Sequence, residues 1–399
     1  MPKYLLWSFL ILAVISIDGG RIPFHPLTEI KCIIYLLFSC YPIWFFFSNF
    51  HTLKKECKIL TYSYIYVITL CIIGLFKMLY KETGLYPVDT FQNISATLAF
   101  GWFFVSLKKP ISLCELINFS LKKWPIFFFI LLLPFYNIGF LRNYLFFLLP
   151  FLLFFKFASL KSKLTFTLFL FFFFLYPGQR IDLLYIIIIV LVIITKEILP
   201  IQEYKHAKII IILCFIAPIA SVLAYFINGF NILNFESYMV SNKQYGNENL
   251  FDDTRTFLYE ESINSILNNG TWLLGETPAF GYTSQWYTNF TDSTHTISRL
   301  SEAGIVNIYV WFGLIGLLSF TVFFIYICKL SLHSNSKIIW LLGIYTAIFY
   351  AISWIGNCNI WITNSRIVLF LIMGFIYYSS KHKLPHSALE NYIKKMLKS

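Results

Sequence analysis

The chain has 399 residues, of which 58% are hydrophobic and only 13% charged, and its formal net charge is +12. A soluble domain carries roughly 25% charged residues to solvate its surface, so this composition excludes a water-soluble globular fold and points to a lipid-facing exterior. The positive charge is not a nucleic-acid footprint, because the lysines fall in short clusters between apolar runs, the positive-inside pattern of a membrane protein; no nucleic acid is expected as a partner.

Apolar stretches of about twenty residues, long enough to cross a ~30 Å hydrocarbon core, recur along the whole length. In chain order they predict spans at 4–17, 30–47, 59–80, 93–107, 124–141, 144–157, 164–177, 182–199, 208–228, 303–327, 338–356 and 364–380. The expected fold class is therefore an all-α polytopic membrane protein of about twelve transmembrane helices. Met1–Ile17 has the lysine and apolar run of a signal peptide, but no small-x-small cleavage site follows in Asp18-Gly19-Gly20-Arg21, so it reads as a retained first helix. With Met1 inside, the inner segments collect Lys54, Lys55 and Lys58, then Lys108, Lys109, Lys122 and Lys123, and later Lys329, Lys337 and the tail lysines. The outer segments receive Arg21, Arg142, Arg180 and Arg366, together with one large loop. The predicted organisation is nine helices over 1–228, a loop over 229–302, three helices over 303–380 and a basic cytoplasmic tail over 381–399. None of the eight cysteines falls in that loop, and no CxxC or Cys/His spacing suggests a disulfide framework or a zinc site.

Lysines on the inner side are explained by topology alone. Outward arginines gain nothing from topology, and charge at the membrane face points to function. The planar guanidinium fork suits bidentate phosphate binding better than an ammonium point charge does. Arg142, Arg180, Arg255 and Arg366 are therefore candidates for one outer phosphate site, the alternative for each being an interfacial side chain reaching lipid phosphates. Arg180 stands out because Pro177-Gly178-Gln179 before it would break the helix and expose backbone N–H groups.

Residues 229–302 have a soluble composition. Asp252 or Asp253 is a good N-cap, and Phe251, Leu258, Tyr259, Ile263, Ile266 and Leu267 recur near helical spacing, which predicts an amphipathic helix lying on the membrane face. Arg255 sits in its first turn, where the helix dipole disfavours a cation; an anionic partner or a local pair with Asp252 or Asp253 would offset this. Asn269-Gly270 ends the helix, and Leu273–Tyr282 is a turn region. Tyr282, Trp286, Tyr287 and Phe290 form an aromatic cluster among hydroxyls and amides, suited either to sugar rings or to interfacial anchoring. His295, among hydroxyls and acids, is a candidate general base, with Glu302 seven residues on. No phosphate-cradling or dinucleotide glycine fingerprint is present, and no ligand set of metal-site spacing stands out; no cofactor and no metal are expected.

Together these features resemble the O-antigen polymerase and O-antigen ligase superfamily of bacterial surface-polysaccharide enzymes. The matching motifs are Gly178-Gln179-Arg180 at the outer end of a mid-chain helix and Asp253-Thr254-Arg255 opening a loop helix. The turn Leu274-Gly275, then His295 before Glu302-Ala303-Gly304, and the continuation Trp311-Phe312-Gly313-Leu314-Ile315-Gly316 complete the series. The resemblance covers roughly residues 175–330, and the first half only as hydrophobic pattern. The chain departs from the family in having His295-Thr296 where His-Asn is frequent, and Gly275-Glu276-Thr277 where glycine-x-glycine is frequent.

The resemblance implies glycosyl transfer without a metal at the outer face of the bacterial inner membrane. The donor would be a glycan on undecaprenyl pyrophosphate, polymerised as repeat units of a surface polysaccharide. It implies Arg180 and Arg255 on the diphosphate, with Arg366 and Arg142 beside them, and His295 as base for the acceptor hydroxyl, with Glu302 either orienting His295 or bonding backbone at the start of the tenth helix. Tyr282, Trp286 and Tyr287 would contact glycan, and membrane lipid, a chain-length regulator and a flippase of the same pathway are the expected partners. The rival expectations are a ligase of the same superfamily, a lipid-linked oligosaccharide flippase or transporter, and an acyltransferase using His25.

Overall fold

The computed structural model describes residues 1–15, 25–80, 87–120, 204–228, 256–284, 303–334, 336–355 and 363–385, with short pieces at 160, 163–164, 167, 244–245, 248–249, 297–299, 387–389, 391 and 393–394. The first half supplies α1 (Lys3–Ile15), α2 (His25–Ser48), α3 (Phe50–Glu56), α4 (Lys58–Lys77), α5 (Pro87–Leu98) and α6 (Gly101–Lys108). After α7 (Ile111–Ser120) come α8 (Tyr204–Asn228), α9 (Thr256–Asn268), α10 (Gly304–Leu332), α11 (Lys337–Ile355) and α12 (Thr363–Lys381). Two antiparallel ribbons interrupt this order: β1 (Gln244–Tyr245) with β2 (Glu248–Asn249), and β3 (Tyr282–Ser284) with β4 (Ile297–Arg299). Four of the helices are long and apolar enough to cross a membrane: Ile30–Ser48 within α2, Lys58–Lys77, Gly304–Leu332 and Lys337–Trp354. The chain is thus a helical membrane protein. Eight predicted spans fall on described helices; those at 124–141, 144–157 and 182–199, and nearly all of 164–177, lie outside the described residues.

The helices sort by how much of their girth is apolar and buried. From Ser365 to Tyr377, α12 is buried on every side, the pattern of a central helix. It lies against α6 at close quarters: the Ser106 hydroxyl donates to the Leu371 carbonyl at 2.7 Å, and a Cβ on Gly374 would stand 2.4 Å from the Phe103 carbonyl oxygen. α4 is arranged the other way round. Thr61, Tyr64, Ile68, Cys71 and Gly74, spaced three and four apart, face inward, while Ile59, Ile72 and Phe76 face out. Polar and small groups inward with large apolar groups outward is the arrangement of a helix solvated by lipid, where helix contacts rest on close packing rather than on apolar burial.

The span expected at 93–107 is two helices. α5 stops at Leu98, and α6 begins at Gly101 after tight turns that bond Phe100 N–H to Thr97 and Trp102 N–H to Ala99. A break inside a membrane requires new partners for the released backbone groups. Tyr64 supplies one, its hydroxyl donating to the Leu98 carbonyl at 3.1 Å, and it sits where a side chain on residue 101 would be, since a Cβ there would lie 2.2 Å from its oxygen. Phe100, at the break, meets the rings of Tyr64, Phe323 and Phe370 at 5.6, 5.3 and 5.4 Å.

Two short helices occupy segments read from sequence as inner connections. α3 precedes α4 with only Cys57 between them. α7 buries Leu113, Leu116 and Ile117 and pairs Glu115 with the Met1 ammonium. At the same end Lys108 pairs with Glu56, and the Tyr377 hydroxyl donates to the Glu56 carbonyl at 3.2 Å.

Candidate functional site

Within the stretch expected as the large loop, α9 runs from Thr256 and ends at Asn268. Gly270, at φ 68°, closes it with a Schellman turn: Thr271 N–H bonds the Ile266 carbonyl and Gly270 N–H the Leu267 carbonyl, both at 3.1 Å. Hydroxyls hold α9 to β3, the Ser265 Oγ accepting from Thr283 N–H at 3.0 Å and the Ser284 hydroxyl donating to Glu261 at 2.6 Å. The Tyr259 hydroxyl donates to the Trp354 carbonyl at the end of α11.

The turn after α9 enters the helical bundle. α10 is broken at Gly313, whose φ 62° and ψ −165° belong to a region open essentially to glycine alone. The break frees the carbonyls of Val310 and Trp311 and the N–H groups of Leu314 and Ile315, which would pair with one another in a continuous helix. The turn takes up all four. Glu276 N–H bonds Val310 at 2.8 Å and Thr277 N–H bonds Trp311 at 3.1 Å, while Leu314 N–H bonds Trp272 at 2.9 Å and Ile315 N–H bonds Leu273 at 3.3 Å. Backbone crosses backbone here, so both crossing points are glycine. A Cβ on Gly275 would lie 2.4 Å from Phe312 N, and one on Gly313 would lie 2.3 Å from the Leu273 carbonyl. Leu274-Gly275 and Trp311–Gly316, two separate motifs in the sequence, are thus two halves of one joint. The turn also brings in the buried carboxylate of Glu276, which accepts from the Thr271 hydroxyl at 3.2 Å, and the buried Thr277, whose Oγ1 would lie 2.7 Å from a Cβ on Gly74 of α4.

Arg366, in the first turn of α12, is 3% exposed. Its Nη1 donates to the Ala96 carbonyl at 2.8 Å; its Nη2 is buried and meets no hydrogen-bond partner among the described residues. The ion pairs between described residues at the opposite end, Met1 with Glu115 and Lys108 with Glu56, do not involve it. A guanidinium does not shed its proton in proteins, and an uncompensated buried charge costs several kcal/mol, of the order of 3–5. Other polar side chains on the same two helices are also unspent: those of Asn93, Ser95 and Thr97 on α5 and of Ser365 on α12 are buried without a partner among the described residues. Asn93 and Thr97, four apart, share a helix face.

Arg366 and Thr97 line a cavity of about 980 Å³, at the upper end of the range for ligand pockets, ~300–1,000 Å³. It runs along α4 and α10 as a groove with mostly apolar walls, from Ile308 and Phe312 beside the joint to Lys55 and Lys58 at the other end. Its lining on α10 runs from Ile308 to Tyr326, on both sides of the break at Gly313.

Of the residues singled out from sequence, Arg366 and Tyr282 are described. Arg366 is buried and lines the groove. Tyr282 is 1% exposed, paired in register with Arg299, so its ring is packed inside the protein and offers no open face to a sugar. Arg142, Arg180, Arg255, Trp286, Tyr287, His295 and Glu302 lie outside the described residues. The polar row on α5 and the carboxylate of Glu276 were not singled out. The signal for the first was in the sequence: Thr90, Gln92, Asn93, Ser95 and Thr97 are too many polar residues for a helix that only meets lipid. No family model, curated protein or solved structure matches this chain.

Proposed function

We propose that the protein is a glycosyltransferase that polymerises oligosaccharide repeat units carried on a lipid diphosphate, undecaprenyl pyrophosphate, at the outer face of a bacterial inner membrane. The observation that supports this reading is Arg366, a buried cation without a described acidic partner at the head of a lipid-facing groove. A lipid phosphate would satisfy its free Nη2, and the unspent hydroxyl of Thr97, which lines the same cavity, would supply a further bond to the head group. Arg180, Arg255 and Arg142 complete the proposed diphosphate site.

In the transfer, the acceptor sugar hydroxyl attacks the anomeric carbon of the donor. The new C–O bond forms as the bond from that carbon to the phosphate oxygen breaks, and the electron pair leaves with the lipid diphosphate. His295 takes the hydroxyl proton, Glu302 orients it, and the arginines stabilise the charge that grows on the leaving diphosphate. Trp286 and Tyr287 contact the glycan.

The test is the length of surface glycan made by a strain lacking the gene, complemented with wild type, Arg366→Gln, Arg255→Ala or His295→Ala at equal membrane levels. A ladder that collapses to a single repeat unit in the null and is restored by wild type alone is the expected result; full restoration by all three variants refutes it. Loss of attached glycan with lipid-linked polymer accumulating would favour a ligase instead. One observation favours a second reading, movement of a lipid-linked glycan: the groove runs between cations at both ends. Lipid-linked repeat units trapped on the cytoplasmic side of the null strain would support it.

A further inference from the structure

The groove has a second end that glycosyl transfer does not use. We propose that this end binds an anionic phospholipid, its phosphate held by Lys55 and Lys58 and one acyl chain lying in the groove between α4 and α10. The inference is independent of the catalytic reading. Lys55 near the end of α3 and Lys58 at the start of α4 both line the cavity, brought together by Cys57, whose φ −147° and ψ 62° turn the chain between the helices. Glu56, the acid between them, is already spent: its carboxylate pairs with Lys108 and its carbonyl accepts from Tyr377. Neither Lys55 nor Lys58 has an ion pair among the described residues, so the two ammonium groups present uncompensated charge at the mouth.

Beyond the lysines the walls change character in the order that a phospholipid does. The rings and hydroxyls of Tyr62 and Tyr326 come first, then Val67, Phe320 and Phe323. Topology explains why lysines sit at this end of the helices; it does not explain an apolar cleft opening beside them. On the unbroken helix α4 the lining runs from Lys58 to Val67, which at ~1.5 Å per residue is about 14 Å, close to the depth of one leaflet, about half of ~30 Å, so an acyl chain entering at Lys58 is accommodated. An acyl chain already surrounded by lipid gains little by entering, so selectivity rests on the head group. Two lysines near a membrane surface give on the order of thirtyfold preference for an anionic over a zwitterionic head group.

The experiment is native mass spectrometry of the purified full-length protein titrated with phosphatidylglycerol or phosphatidylcholine of the same chain length. The expected result is one retained phosphatidylglycerol, preferred about thirtyfold, a preference that Lys55→Gln with Lys58→Gln removes and Lys329→Gln, an exposed lysine that does not line the groove, leaves intact. Ser319→Phe, which fills the groove without changing charge, is expected to lower retention of both lipids. Equal retention of the two lipids by wild type overturns the proposal. So does a preference that survives the double lysine variant and disappears in Arg366→Gln, which would put the lipid at the other end. Displacement of phosphatidylglycerol by excess inorganic phosphate also overturns it, since the site would then recognise phosphate without a chain. Because no sugar transfer is read, failure here leaves the glycosyltransferase reading standing, and failure of that reading leaves this one.

Discussion

The crossing of the 271–277 turn through the break in α10 makes a sharp prediction for Gly313→Ala and Gly275→Ala. Gly313 holds a backbone conformation that costs any other residue of the order of 1–3 kcal/mol. In addition, the new Cβ would stand 2.3 Å from the Leu273 carbonyl, so the two strands of backbone must separate. Four hydrogen bonds cross this joint, each worth about 1 kcal/mol net, and losing two or more brings the total to about 3–6 kcal/mol. Gly270→Ala is the control. It shares the left-handed φ, but nothing lies within 4 Å of its Cβ position, so only about 1–2 kcal/mol is at stake. Thermal unfolding of the purified protein in detergent, followed by size-exclusion chromatography, reads the difference. Gly313→Ala and Gly275→Ala should lower Tm on the order of 5–10 °C and Gly270→Ala by about 2–4 °C. Equal shifts for all three, or a wild-type Tm for either joint variant, would refute the argument that backbone contact rather than φ alone selects these glycines.

Arg366→Met should leave Tm unchanged or raise it while abolishing glycan extension, because a buried charge with one backbone partner is replaced by an apolar chain of similar length; a large fall in Tm would mean that the guanidinium serves the fold. Ser265→Ala should lower stability by about 1 kcal/mol, since it takes the acceptor from the half-buried Thr283 N–H, and protease should cut the 269–284 region faster. Tyr259→Phe should cost about 1 kcal/mol and loosen the contact of α9 with Trp354, read by the same proteolysis. Burial is the main cause that pushes the Cys57 thiol up, with a hydrogen bond from Thr61 opposing it. Its maleimide labelling at neutral pH should therefore run slower than that of a free thiol and accelerate as pH rises beyond the ordinary thiol range; labelling at the free-thiol rate would contradict the buried position.

Long apolar runs carried most of what was legible. The segments expected as spans at 59–80, 338–356 and 364–380 are single helices near their expected limits, uninterrupted by proline or by a break in the backbone. The span at 93–107 was missed as a pair of helices because the signal was tertiary: Tyr64, from another helix, captures the carbonyl that the break releases. α3 and α7 were missed because they lie in segments short enough to pass for connections, and their apolar faces show only once α4 and α6 are in place. The site was legible in part. Arg366 could be singled out by its side of the membrane, whereas its lack of a described acid, and its groove, depend on what packs around it. Gly275 read as an ordinary turn glycine and Gly313 fell inside the span expected at 303–327, and only the crossing of the two segments makes either irreplaceable.

That crossing also bears on how acceptor and donor are held relative to each other. The ribbon of β3 and β4 pairs Ser284 with Ile297, so the two ends of segment 285–296, which carries His295, are fixed side by side. From Arg299 the chain reaches Ala303 and enters α10 within four residues, and β3 is bound to α9 through Ser265. α10 is therefore joined to the loop twice, once at its first turn and once at the Gly313 break, and between those points Ile308 and Phe312 form a wall of the groove that Arg366 heads. Under the proposed reaction the strand that follows the base, β4, and the wall of the donor groove, on α10, are neighbours in the chain. A helix without the break would need no turn threaded through it, and the loop would then be tethered at the start of α10 alone. The two glycines thus give the 271–277 turn a second attachment to α10, through four backbone hydrogen bonds.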